Sequence, residues 1–431
     1  MRALILAAGR GMRLQQAVPK PLTPFLGLTL IERIIQSLKQ KGITEVVIVT
    51  GYLSSEVIEK LNESKTGIKL TFIENPEWEK GNGVSALRAK PVLENENFLL
   101  LMCDHLFYPD MLEPLSGGSD KSAMWIDRDM DNVFDIDDAT KVRLEGKVPG
   151  KIGKNLKDFD AVDCGIFYCT NEIFAALERT VSEGKFQLAD AVQYLADKGR
   201  LDIVDATGKF WIDIDTGKSL RYAKKRVLDS LSKPTDGAIS RLFNRRLSKH
   251  ITCQLVKTGI SPNTVSVIAF LLTFFSSVVF AFGERLYLLI GGILVQFSSI
   301  LDGCDGEIAR LKFISSRYGT FLDSVLDRYA DSLVIFGLAY GYWRSHGDFL
   351  VWALGFFALA GVFAFSYTNA RYEAIFETPE QIKVPLRRDM RLLIIAVGAV
   401  TNQVLITFLI LAALTNIEIL RRMIVVRRLL S

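Results

Sequence analysis

Residues 302–327 read DGCDGEIARLKFISSRYGTFLDSVLD and lie between apolar runs long enough to enter a membrane. An ionised Asp in or near hydrocarbon costs roughly 2.5 to 3.5 kcal/mol on insertion scales, so carboxylates there face a polar cavity and serve an ion or a substrate. Asp302 and Asp305 are three positions apart, and Asp323 and Asp327 four apart, so each pair lines one face of a helix. Two such faces opposed make an all-oxygen site for Mg²⁺ or Mn²⁺, with room for two ions roughly 3.5 to 4 Å apart. The blander reading, interfacial charges paired with Arg310, Arg317 and Arg328, conflicts with the rarity of idle carboxylates at this depth.

Charge and hydropathy divide the rest. Residues 1–229 hold 31 Lys+Arg against 34 Asp+Glu with apolar runs no longer than a buried strand, whereas residues 230–431 hold 21 against 14 and carry long apolar runs. The pattern predicts a soluble domain over 1–229, an amphipathic juxtamembrane helix or linker over 230–257 and a membrane domain over 258–431. Spans are expected at 264–283, 286–301, 320–342, 349–370, 387–400 and 403–420. The last two are one long span or two, depending on Thr401-Asn402-Gln403. Charge decides for six: Arg241, Arg245, Arg246 and Lys249 precede the first span, Arg310, Lys312 and Arg317 follow the second, and Lys383, Arg387 and Arg388 follow the fourth. The closing Arg421, Arg422, Arg427 and Arg428 join them on the cytoplasmic face only if the number of spans is even. A multi-pass cell-membrane protein with its N-terminal domain and C-terminus in the cytoplasm is the expectation.

Five scattered cysteines without CxxC spacing, and only three histidines, argue against zinc and suit a reducing compartment. The opening MRALILAAGRG reads as a first strand rather than a signal peptide. Ala3–Ala7, Glu45–Thr50, Leu70–Glu74 and Phe98–Met102 are strand-like, while Leu30–Lys41 and Ser55–Leu61 are helix-like. The soluble part is therefore an α/β sandwich with a largely parallel sheet, and its ligands belong at the carboxyl ends of the strands. There, Ala8, Gly9 and Gly11 form a loop whose N–H groups can approach phosphate, with Arg10 and Arg13 adding charge. Lys20 follows in Pro19-Lys20-Pro21-Leu22, and Asp104 ends the fourth strand.

Two resemblances attach to these residues. The pattern Asp302-x-x-Asp305-Gly306-x-x-Ala309-Arg310, eight residues, then Gly319-x-x-x-Asp323-x-x-x-Asp327 resembles the signature of the CDP-alcohol phosphotransferases, which exchange CMP on a CDP-alcohol for a second alcohol. The trio LAAGRGMRL, PKPL and a strand ending in Asp104 resembles the sugar-phosphate nucleotidyltransferases. Together they imply an α/β nucleotidyltransferase, a Rossmann-like sandwich, followed by an all-α six-helix transmembrane domain. By the second resemblance Ala8, Gly9, Gly11 and Arg13 hold a nucleotide and Lys20 neutralises phosphate in the transition state, while Asp104 binds Mg²⁺ with Asp213 or, next in preference, Asp215, both placed on one face of a strand. Asn82 and Ser85 follow Glu74-Asn75-Pro76 in a segment like the base-reading part of cytidylyltransferases. Lys154 and Asp163 would take the sugar phosphate and a ring hydroxyl. By the first resemblance Asp302, Asp305 and Asp323 hold metal, Asp327 is metal-adjacent and the base, Asn263 and Gly306 border the nucleotide, and Arg310 either binds the nucleotide's phosphate or clamps the aspartate cluster. Arg371, Arg388 and Arg391 would bind the acceptor's phosphate.

An NDP-alcohol maker fused to a CDP-alcohol consumer implies CTP and one shared intermediate. The chain as a whole resembles the bifunctional enzymes that join a CTP:inositol-1-phosphate cytidylyltransferase to a di-myo-inositol phosphate phosphate synthase. That resemblance implies CTP, inositol 1-phosphate and CDP-inositol as ligands, Mg²⁺ (with Mn²⁺ as substitute) as cofactor, the lipid bilayer as partner, no nucleic acid, a homodimer through the membrane domain and a compatible-solute precursor as product. Two readings stay beside it: another alcohol phosphate transferred to a lipid alcohol, as in a phospholipid synthase, or a cation transporter whose soluble part senses nucleotide.

Overall fold

The apolar run after Arg2 forms a central strand of a nine-stranded sheet, and its two faces feed two separate cores. In β1 (Arg2–Ala7), Leu4 and Leu6 pack with Val47, Val49 and Leu100, whereas Ala3, Ile5 and Ala7 pack with Val46, Ile48 and Leu101. Period-two alternation explains the division. A strand covered on both sides needs a near-continuous apolar sequence, which is how β1 reads.

The computed structural model describes residues 1–14, 17–64, 66–116, 120–231, 244–375 and 386–430. The chain forms two units, Met1–Val227 and Leu228–Ser431. After β1 the first runs through β2 (Pro24–Phe25), β3 (Leu28–Thr29), α1 (Leu30–Gln40), β4 (Glu45–Thr50), α2 (Ser54–Glu63), β5 (Lys69–Glu74), α3 (Asn82–Leu87), α4 (Lys90–Leu93) and β6 (Phe98–Met102). Then come β7 (His105–Phe107), β8 (Ser122–Asp127), β9 (Lys141–Glu145), β10 (Val148–Gly153), β11 (Ala161–Cys169), α5 (Glu172–Ser182), α6 (Leu188–Asp197), β12 (Leu201–Asp205), β13 (Trp211–Asp213) and α7 (Gly217–Ser230). The strands and helices expected in the first 110 residues are β1, β4, β5, β6, α1 and α2, each within two residues at either end. Helix α1 begins where a capping box puts it: Thr29 Oγ1 accepts from the Glu32 N–H at 3.3 Å, and Glu32 accepts from the Thr29 N–H at 2.7 Å.

Strand β1 pairs in parallel with β4 and β6, so loops at its carboxyl end and that of β6 open on one side. Beyond β6 the sheet turns antiparallel through β11, which pairs with β6, β8 and β9. A separate antiparallel pair, β7 with β13, brings Asp213 beside His105.

The second unit contains α8 (Arg245–Leu255), α9 (Pro262–Phe280), α10 (Arg285–Leu311), α11 (Arg317–His346), α12 (Leu350–Ile375), α13 (Arg388–Val400) and α14 (Val404–Leu430). The last six stand at the six expected spans. Of these, α9, α10, α12 and α14 are long and apolar enough to cross a membrane. Helix α11 carries Asp323, Asp327, Arg328 and Asp331, and α13 has 13 residues, about 20 Å against a hydrocarbon core of about 30 Å. Hydropathy ended the second span at 301, yet α10 continues to Leu311, so Asp302 and Asp305 sit on unbroken helix. Part of the expected juxtamembrane helix, including Arg241, and the basic Lys383 fall outside the described residues.

The Thr401-Asn402-Gln403 ambiguity resolves into two helices. Asn402 is left-handed at φ 58°, its N–H donates to Ala399 O at 3.1 Å and that of Gln403 to Gly398 O at 2.8 Å. This is a Schellman ending, with Asn in the position that favours Gly. The bundle core gathers Val295, Val334, Leu338, Leu392 and Phe408. Outside it, Phe275, Phe321, Phe356 and Leu409 are each more than half exposed, faces that match lipid rather than water.

Candidate active sites

The first site is a cavity of about 470 Å³ at the carboxyl ends of β1 and β6, lined among others by Ala8, Gly9, Gly11, Arg13, Lys20, Asn82, Ser85, Asp104, Lys154, Asp163, Asp213 and Asp215. Of the residues expected in the soluble site, all but Arg10 line this cavity; the Arg10 guanidinium lies over the Tyr52 ring instead, 5.1 Å from its centroid. Gly11 is left-handed at φ 69°, and a Cβ there would lie 2.7 Å from the Lys20 Cβ. A side chain at 11 would displace the lysine, whereas Gly9 has open space around it.

Lys20 is buried, with Nζ 2.6 Å from Asp104 Oδ2 and paired to Asp215 as well. Burial alone would lower its pKa, but Asp104, Asp213 and Asp215 outweigh burial and hold the ammonium above its ordinary range. Burial likewise disfavours the Asp104 carboxylate, and Lys20 with His105 reverses that and holds Asp104 well below the usual value. Asp213 goes the other way: burial and its acidic neighbours push it up to about 6. Its Oδ1 is buried with no hydrogen-bond partner among the described residues. Ligand atoms of Asp104, His105 and Asp213 lie within 4.8 Å of one another, a donor set that fits a divalent cation.

The two aspartates of Phe210-Trp211-Ile212-Asp213-Ile214-Asp215 thus part company. The strand covers only the first of them: β13 ends at Asp213, and Asp215 lies beyond it, yet both line the cavity, Asp215 paired to Lys20 and 2.7 Å from Arg13 Nη2. Asp215 is occupied by the cations of the loop, while Asp213 faces the cluster. Asp138, which the sequence did not single out, bridges Arg13 at 2.6 Å and Lys154 at 2.9 Å. Asn82 and Ser85 also have partners, Asn82 Oδ1 accepting from the Leu188 N–H at 2.8 Å and Ser85 Oγ from Asn75 at 3.0 Å. His105 was equally overlooked. It stacks on Trp211, and Gly165, at φ 72°, leaves it the room that a Cβ would take.

In the second unit, ligand atoms of Asp302, Asp323 and Asp327 lie within 4.8 Å of one another, again a carboxylate set fit for a divalent cation. Asp305 accepts from Ser266 Oγ at 2.5 Å and from the Gly306 N–H. Arg388 closes the cluster, 2.8 Å from Asp302, 2.7 Å from Asp327 and 3.3 Å from Asp331. Arg391 is buried 3.6 Å from Asp331, whereas Arg371 is exposed near the end of α12. Asn263 packs against Gly319, where a Cβ would meet its Oδ1 at 3.1 Å, and Arg310 reaches over Gly306 to donate to Leu231 O at 3.3 Å.

Residues 3–128 match the family model of MobA-like NTP transferase domains, and residues 259–425 that of CDP-alcohol phosphatidyltransferases. Over 99% of its length the chain is 37% identical to a bifunctional IPC transferase and DIPP synthase of Rubrobacter xylanophilus, covering 96% of that protein. The chain belongs to that family. A second member, from Thermococcus kodakarensis, is 32% identical over 97% of this chain and 95% of its own. Among solved structures, an inositol-1-phosphate CTP transferase from T. maritima covers 52% of this chain and 93% of its own at 26% identity and a TM-score of 0.48. In this bifunctional IPC transferase and DIPP synthase family member, the segment matched by the phosphatidyltransferase model contains the whole aspartate cluster and Arg388, Arg391 and Arg422. The transferase segment ends at residue 128, so Asp138, Lys154, Asp163, Asp213 and Asp215 reach the first cavity from outside it.

Proposed function

We propose that the first unit joins CTP to inositol 1-phosphate and that the second transfers the resulting inositol-phosphate group to a second inositol phosphate, releasing CMP. The observation that carries this reading is the whole-length similarity to enzymes named for both activities, with one acidic cluster in each unit.

In the first reaction the phosphate oxygen of inositol 1-phosphate attacks the α-phosphorus of CTP, and pyrophosphate leaves. The Gly9–Gly11 loop and Arg13 hold the triphosphate, and Lys20, fixed as a cation by its carboxylate neighbours, offsets the charge that develops. Asn82 and Ser85 face the base, and Lys154 and Asp163 face the inositol phosphate. In the second reaction a hydroxyl of the acceptor attacks the β-phosphorus of CDP-inositol, and CMP leaves. Asp327 takes the hydroxyl proton, Asn263, Gly306 and Arg310 border the nucleotide, and Arg388 and Arg391 meet the acceptor's phosphate. Asp104 and Asp213 in one site, and Asp302, Asp323 and Asp327 with Asp305 alongside in the other, would hold Mg²⁺, with Mn²⁺ as substitute, which would neutralise phosphate charge. The product is a phosphorylated di-inositol phosphate. The basic residues that flank the helices support a cytoplasmic placement of both termini.

Incubating the full-length protein with CTP, UTP or GTP against a panel of alcohol phosphates tests the first half. Pyrophosphate release with CTP and inositol 1-phosphate, and a CDP-inositol mass, are expected. A stronger response to another nucleotide or another alcohol phosphate would overturn the assignment.

A further inference from the structure

Glu307 lies inside the motif of the second unit, between Gly306 and Ala309, and its side chain is wholly buried. It accepts from Arg245 Nη1 at 2.9 Å, Ser248 Oγ at 2.8 Å and Thr252 Oγ1 at 2.7 Å, all on α8. Gly303, one turn earlier on α10, admits this crossing: a Cβ there would meet the Arg245 guanidinium at 3.2 Å and Ser248 at 3.8 Å. Cys304 adds a contact to Ser248 O at 3.5 Å. Two residues along a helix point roughly to opposite sides, and Asp305 turns to α9 through Ser266 while Glu307 turns to α8.

The end of this helix is under strain. Phe313 adopts a left-handed φ of 57°, so that Ile314 N–H reaches Ala309 O at 3.0 Å, an ending that suits Gly or Asn and disfavours a bulky side chain. A strained terminus needs an outside hold, and a buried carboxylate with three donors from one neighbouring helix provides it.

We propose that Glu307 is a positioning residue for Asp302 and Asp305, pinning α8 across the last turns of α10 so that their carboxylates keep their rotation toward the aspartate cluster. The role rests on the transfer reaction proposed above but is read separately from it. Glu307 itself touches neither substrate nor ion.

The test uses the full chain in detergent. Mn²⁺ binding is followed by electron paramagnetic resonance in an Asp104→Ala background, which leaves the second site to report. In the otherwise unaltered chain, CMP release from supplied CDP-inositol is titrated with Mg²⁺, and pyrophosphate release from CTP and inositol 1-phosphate serves as a control. Glu307→Ala is expected to weaken Mn²⁺ binding by about tenfold or more, as loss of a supporting contact does, and to raise the Mg²⁺ concentration for half-maximal CMP release, with pyrophosphate release unchanged. Glu307→Gln, whose amide can accept from Arg245 and Ser248 and donate to Thr252, recovers most of the wild-type value. Arg245→Ala and Thr252→Val shift Mn²⁺ binding in the same direction and decide the matter if Glu307→Ala does not fold. Wild-type Mn²⁺ affinity in all of these variants overturns the inference. An unaltered chain that binds Mn²⁺ yet releases no CMP overturns the transfer reading and leaves the positioning role standing.

Discussion

The guanidinium of Arg388, on α13, lies 2.7 Å from the carboxylate of Asp327, on α11. The same nitrogen lies 2.8 Å from Asp302 on α10, so one arginine ties three helices at the point where the acidic motif converges. Removing one partner of a buried pair costs about 3 to 5 kcal/mol, chiefly through the charge left behind. Arg388→Ala is expected to lower the Tm of the detergent-solubilised protein and to cut CMP release at least about tenfold, with Arg388→Lys between it and wild type. A wild-type melting curve and rate would place Arg388 outside the working cluster.

Asp327→Asn keeps the size of the side chain while removing its capacity to take a proton. The full chain carrying it should release no CMP from supplied CDP-inositol and should still release pyrophosphate from CTP and inositol 1-phosphate. Loss of both activities together would refute independent sites.

The reciprocal variants are Lys20→Ala and Asp104→Ala. Each breaks the 2.6 Å pair on which the first cavity is organised, and pyrophosphate release should stop while supplied CDP-inositol is still consumed. Normal pyrophosphate release from either variant would move the first reaction elsewhere.

A pH effect follows from Asp163. Burial pushes its carboxyl up to about 6, against the pull of the Gly165 N–H and His105. A folded pKa above the unfolded value of about 3.9 means that this group's contribution to stability is fully present below about pH 4 and is lost as pH rises through about 6. Asp163→Asn should therefore stabilise the protein at pH 7.5, by up to about 3 kcal/mol, and change little near pH 4. A thermal shift of equal size at both pH values, or a loss of stability at pH 7.5, would contradict the assignment.

The residues that carry charge at fixed spacing were legible before the fold. Asp323 and Asp327 share a face as their spacing predicts and meet Asp302 of α10, while Gly11, Lys20 and Asp104 meet because β1 and β6 are parallel neighbours. What the sequence hid depends on tertiary neighbours. Asp138 looks like one of several surface aspartates until the fold sets it between Arg13 and Lys154. Glu307 falls at a position that the motif leaves unspecified, and only the crossing of α8 makes it buried. Asp213 and Asp215 alternate in sequence and both reach the cavity, but the strand stops at Asp213, and only the fold shows that Asp215 pairs with Lys20 and Arg13. The ends of α10 and α14 ran past the expected 301 and 420, since hydropathy stops at the first charged turn while the backbone hydrogen bonds do not.

The central claim is that one chain makes an activated inositol phosphate and consumes it. The most direct measurement gives the full-length protein only CTP, Mg²⁺ and inositol 1-phosphate, then follows pyrophosphate and CMP together and identifies the products by mass, with and without detergent-dispersed diacylglycerol or archaeol. The account predicts pyrophosphate and CMP in equal final amounts, transient CDP-inositol and a phosphorylated di-inositol phosphate whose yield ignores the lipid alcohol. Accumulation of CDP-inositol with CMP released only when the lipid alcohol is present would contradict it.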